Sequence, residues 1–147
     1  MHLPKNILVG TDFSEISNRA LDYAIAFAKL TGGEVAILHA YELPIYGFPD
    51  GALLATAEVA GEILTAAQAA LQRTCESRAG AVRLTPIVRQ GVAWEELNSV
   101  AEEIGADLIV IGTHGRTGIA HALIGSIAEK VVRTAKTPVL TLRDESA

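Results

Sequence analysis

The chain is almost without cysteine. Cys75 stands alone among 147 residues, which excludes an internal disulfide and a cysteine-rich zinc site. Its neighbours Thr74 and Glu76 bring no cation that would activate a thiol, so a half-buried or helix-surface sulfur is expected. Long apolar runs are missing as well. Half of the residues are hydrophobic, yet no run approaches the roughly 20 residues of a membrane span, and a soluble protein with no membrane partner is expected. Positive charge is scarce: 12 Lys and Arg against 17 Asp and Glu give a net charge of −5. With no basic cluster either, nucleic acid is not an expected partner. The opening Met1-His2-Leu3-Pro4-Lys5-Asn6 leads straight into a strand-like segment and does not resemble a signal peptide, so the expected location is cytoplasmic. A P-loop and a Gly-x-Gly-x-x-Gly fingerprint are both absent. The histidines His39, His114 and His121 have no carboxylate at metal-ligand spacing, so no metal site is expected.

What is present is an alternation of short apolar runs and helical stripes. Lys5–Gly10, Glu34–Ala40, Ala81–Arg89, Asp107–Ile111 and Val139–Leu142 read as strands. Between them, Ile16, Ala20, Ala24, Phe27 and Leu30 recur at helical spacing up to Gly32-Gly33. An alanine-rich helix with a weak point at Gly61 follows over Ala52–Arg78. A third stripe, Trp94, Leu97, Val100, Ala101 and Ile104, is closed by Gly105, and a fourth, Ile127, Val131, Val132 and Ala135, stops near Pro138. Leu43–Gly51, with two prolines and two glycines, reads as a surface loop, and Arg143–Ala147 as a frayed tail. Strand and helix in strict alternation predict one α/β domain over residues 1–147, an open five-stranded parallel sheet with helices on both faces. Pro86 has no N–H to give to a ladder and belongs on an edge strand. An order of 3-2-1-4-5 satisfies it and makes strands one and four neighbours. Their connections run in opposite directions, and such a switch point is where open α/β sheets bind ligands.

The loop from the fourth strand to the last helix falls at that point. It reads Gly112, two residues, Gly115, nine residues, Gly125, Ser126. Gly112 and Gly115 let backbone approach a ligand, and Gly125 lets the N–H groups of Ser126 and Ile127 turn into the crevice. Ser126 with Glu129 three residues on has the capping-box pattern, which places a helix amino end there and favours phosphate. Arg116 is the cation of the loop that could grip phosphate oxygens. Asp12, after the first strand, faces the same crevice and could equally cap the first helix.

This spacing resembles the nucleotide motif of the universal stress protein family, whose ATP-binding members carry Gly, two residues, Gly, nine residues, Gly and then Ser or Thr. All four positions match, and chance would produce such a match in a chain of this composition about once in a hundred. Val9-Gly10-Thr11-Asp12-Phe13-Ser14, Leu38-His39-Ala40 and Asp107–Gly112 are similar to the family's strand endings. The resemblance implies the Rossmann-like fold of the adenine nucleotide alpha hydrolases and an ATP, ADP or AMP ligand, with Mg2+ as its possible companion. It implies that Asp12 and Ala40 meet the adenine and ribose, Gly112 and Gly115 the sugar and phosphates, and Gly125, Ser126 and Ile127 the phosphate chain, with Thr11, His114 and Arg116 nearby. It also implies a homodimer, and Val139–Leu142, an apolar edge that needs covering, suggests the same through antiparallel pairing.

No residue pair reads as nucleophile and base, and the expectation is a nucleotide-responsive stress or signalling module rather than an enzyme. Two alternatives stay open: a protein-interaction module with a vestigial crevice, and slow ATP hydrolysis or nucleotidyl transfer.

Overall fold

Strands covered by helices on both faces have no polar side to offer water, so their residues are apolar throughout rather than alternating. The computed structural model describes residues 2–44, 57–114 and 124–144, and the buried middles of its three interior strands follow this rule. The five strands are β1 (Asn6–Gly10), β2 (Glu34–Tyr41), β3 (Leu84–Gln90), β4 (Leu108–Gly112) and β5 (Val139–Leu142), separated by α1 (Glu15–Thr31), α2 (Ala57–Glu76), α3 (Ala93–Glu103) and α4 (Ser126–Thr134). The sheet is parallel with the order β3-β2-β1-β4-β5.

Successive residues of each strand serve opposite cores. Ile7, Val9, Val35, Ile37 and Val110 pack under α1 and α2 with Leu21, Ile25 and Leu71. Leu8, Ala36, Leu38, Ile109 and Ile111 face α3 and α4, meeting Leu97, Val100 and Val131. Pro86 lies in the edge strand β3, as expected. Val35 N–H donates to the Arg83 carbonyl and Gly91 N–H to the Tyr41 carbonyl, so odd-numbered residues of β3 face β2. Pro86 therefore turns its missing donor outward, where no ladder bond is lost.

Several boundaries differ from the sequence reading. α1 ends on Gly32 in the left-handed conformation (φ 68°), as expected, but Leu30 is 86% exposed, because α1 buries Leu21, Ile25 and Ala28 instead. β3 begins at Leu84 rather than Ala81, and Asp107 precedes β4 rather than opening it. Its carboxylate accepts the Lys5 and Asn6 N–H groups at 3.0 and 2.9 Å, tying the start of β1 to that of β4. These two bonds, the Asn6 one foremost, hold the Asp107 pKa below the usual aspartate value. Cys75 is buried, and burial raises its pKa against the opposing pull of Arg78. Trp94 is half-buried on the α3 stripe, with the Lys130 ammonium 5.7 Å from its ring centroid. Among the described residues no helix is long and apolar enough to cross a membrane. The loop expected over Leu43–Gly51 lies outside the described residues beyond Pro44, as does the Ala52–Thr56 start expected for α2.

Candidate functional site

The carboxyl ends of β1 and β4 lie side by side, with Val9 registered on Val110. Each strand then hands over to a helix whose amino end points back to the same place: β1 to α1, and β4, by way of a loop, to α4. Two helix amino ends converge on one crevice, and both dipoles favour negative charge there.

The turn from β1 to α1 is held by hydroxyls. Thr11, 8% exposed, continues the ladder by donating its N–H to the Leu38 carbonyl at 2.9 Å, and its Oγ1 accepts the Phe13 N–H at 3.0 Å. Ser17, 4% exposed, donates its hydroxyl to the Ser14 carbonyl at 2.9 Å and receives those of Thr11 and Ser14 at 3.1 and 3.3 Å. One arrangement of protons thus satisfies every buried hydroxyl. Asp12 does not cap α1. Ser14 does, its side chain accepting the Ser17 N–H, while Asp12 Oδ1 accepts the Ser14 N–H at 3.0 Å and makes an Asx turn.

Phe13 takes a φ of 64°, the left-handed region that a bulky residue enters at a strain of about 1–2 kcal/mol. Its ring packs against that of His39, centroids 4.5 Å apart and planes inclined by 40°. His39, near the end of β2, has Nδ1 2.9 Å from the Thr11 carbonyl oxygen. A carbonyl only accepts, so Nδ1 is the donor. Sequence reasoning named Thr11, Asp12 and Ala40 here but treated His39 as an ordinary sheet-end histidine. The signal it passed over was a polar ring at the end of an otherwise apolar strand.

On the other side, Gly112 ends β4 beneath the first turn of α1. A Cβ there would stand 2.7 Å from Ile16 Cγ1, so the glycine admits the helix as well as any ligand. Thr113 is buried, donating its N–H to the Leu142 carbonyl at 2.8 Å, with Oγ1 3.0 Å from His114 Nδ1. Gly125 N–H donates back to the Thr113 carbonyl, and a Cβ on Gly125 would lie 2.5 Å from that oxygen. The loop therefore closes on the residue where it begins. Gly115 and Arg116 lie outside the described residues.

The capping-box reading of Ser126 is off by one position. Gly125 is the N-cap of α4, no side chain caps it, and the Glu129 N–H goes to the Gly125 carbonyl at 2.9 Å. Ser126 is the first helical residue and is exposed. The reason is steric, since the crossing over Thr113 requires the residue without a Cβ to take the cap. The amides of Ser126, Ile127 and Ala128 precede the first hydrogen bond of α4, the part of a helix that accommodates an anion. These donors suit a phosphate chain. Among the described residues no three of His, Cys, Asp and Glu are close enough together to hold a metal ion. A shallow pocket of about 450 Å³ lined by His2, Pro4, Asp107 and Lys136 opens at the other end of the strands, remote from the glycine loop.

Comparison with known proteins agrees with this fold. The sequence pattern of the universal stress protein family matches residues 4–143. Universal stress protein MJ0531 of Methanocaldococcus jannaschii is 33% identical over 144 residues, covering 97% of this chain and 84% of the relative. The solved structure of MJ0577 superposes with a TM-score of 0.82 at 25% identity over 99% of both chains. A universal stress protein crystallised with cAMP superposes at 0.66 with 30% identity, over 96% of this chain and 98% of the other. With the strand order of the solved universal stress proteins and a match along nearly its whole length, the chain belongs to the universal stress protein family.

Proposed function

We propose that this protein is an adenine-nucleotide-binding module, with ATP its principal ligand and binding rather than turnover its task. The observation that carries the proposal is the meeting of α1 and α4 amino ends at the β1/β4 switch point, with Ser126 in the first turn of α4. Asp12 and Ala40 serve the base and ribose, Gly112 and Gly115 the sugar and phosphates, and Gly125, Ser126 and Ile127 the phosphate chain, with Thr11, His114 and Arg116 beside them. The related universal stress protein crystallised with cAMP supports an adenine nucleotide as the ligand class. A stress or signalling role in the cytoplasm follows from occupancy that tracks the nucleotide supply. The hydroxyl that meets an imidazole here, Thr113 against His114, is buried, so hydrolysis, where it occurs, is slow.

The test uses Ser126→Asp. A carboxylate at the first helical position stabilises α4 through its dipole and repels phosphate from the same amides. Calorimetry with ATP, with and without Mg2+, should show binding by the unaltered protein and none by the variant, whose thermal midpoint stays the same or rises. A variant that keeps full affinity refutes the site.

We further propose a homodimer through β5. Bonds to β4 use the Pro138 and Leu142 carbonyls, so Val139 and Thr141 direct their backbone groups outward along an apolar edge, a surface suited to antiparallel pairing with a second copy.

A further inference from the structure

The one bulky residue in left-handed backbone among those described is Phe13, and it directly follows Asp12. Four contacts hold that turn. Two are local: the Phe13 N–H to Thr11 Oγ1 at 3.0 Å and the Ser14 N–H to Asp12 Oδ1 at 3.0 Å. The other two come from a single residue of the neighbouring strand, since His39 donates Nδ1–H to the Thr11 carbonyl at 2.9 Å and lays its ring against Phe13 at 4.5 Å. Thr11 and Phe13 flank Asp12. One imidazole therefore grips the turn on both sides of the carboxylate, from a strand whose next residue is Ala40.

We propose that His39 is a positioning residue of the nucleotide site, fixing through Thr11 and Phe13 the left-handed turn that presents Asp12 and setting the spacing between Asp12 and Ala40. This rests on the nucleotide reading above. His39 acts through its neighbours and is not itself a ligand contact. Strain held in this way is expected where a site must be preorganised, because a relaxed turn would have to be ordered again when the ligand arrives. The bond to the Thr11 carbonyl fixes a tautomer: neutral His39 carries its proton on Nδ1 and a lone pair on Nε2.

Two variants and one spectrum test it. His39→Leu removes the donor, whereas His39→Asn keeps an N–H donor close to the position of Nδ1. ATP titrated calorimetrically should bind His39→Leu about tenfold more weakly than the unaltered protein, and His39→Asn should recover most of that loss. A residue that served packing alone would show no such rescue, since Asn replaces the ring no better than Leu does. Nitrogen-15 spectra of the unaltered protein should show Nδ1 protonated, a measurement that stands even where His39→Leu fails to fold. ATP affinity unchanged in His39→Leu, equal loss in both variants, or a neutral Nε2–H tautomer overturns the inference. Those results leave the nucleotide reading intact, whereas failure of the unaltered protein to bind ATP overturns both.

Discussion

Ile16, in the first turn of α1, occupies the space that a side chain on Gly112 would need, its Cγ1 2.7 Å from where that Cβ would be. The end of β4 and the start of α1 are thereby locked together across the switch point. Any account of Gly112 as a ligand residue has to include this packing role.

Gly112→Ala should therefore destabilise the fold by about 1–3 kcal/mol, the usual range for overpacking a filled core. Paired with Ile16→Ala, which removes both γ carbons that the added methyl group would meet, it should lose less than the two single changes summed. Urea unfolding of the four proteins measures the coupling, and strict additivity would contradict the contact.

Thr141→Pro provides a clean test of the dimer. The Thr141 N–H points away from β4, so a proline there spares the ladder that holds β5 in the sheet and blocks pairing with a second copy. Sedimentation at micromolar concentration should give a dimer for the unaltered protein and a folded monomer for the variant. A monomeric unaltered protein would sink the proposal.

Asp107 should make stability sensitive to acid. Its folded pKa is lowered by the Asn6 and Lys5 N–H groups, so its contribution is complete above the ordinary aspartate value of about 3.9 and disappears as pH falls through the lower folded value. Asp107→Asn should flatten the loss of stability below about pH 4 and cost about 1 kcal/mol at neutral pH. Denaturation midpoints from pH 2 to 7 provide the check.

Cys75 should be a reporter of unfolding. Burial raises its pKa and leaves it 9% exposed, so a thiol reagent at pH 7.5 should label the native protein orders of magnitude more slowly than the urea-unfolded chain. Equal rates would show that α2 lifts from the sheet.

The fold was legible because its signals are repeated: five apolar runs, four helical stripes, and a proline that tolerates only an edge. The candidate site was legible to the extent that backbone chemistry has a sequence signature, as the turns at Gly112 and Gly125 do. What escaped was set by pairs distant in sequence. Asp107 reads as part of a strand until the Lys5 and Asn6 amides are beside it, and Ser126 reads as a cap until the Thr113 carbonyl assigns that position to Gly125. Likewise, nothing in Asp12-Phe13-Ser14 announces a left-handed phenylalanine, because the ring that holds it belongs to β2.

The bond from Gly125 to Thr113 also has a mechanical consequence. It joins the cap of α4 to the residue that follows β4, so the start of the helix is anchored directly to the end of the sheet. A displacement of the Thr113 carbonyl is thereby passed to the first turn of α4, and the two move as one body.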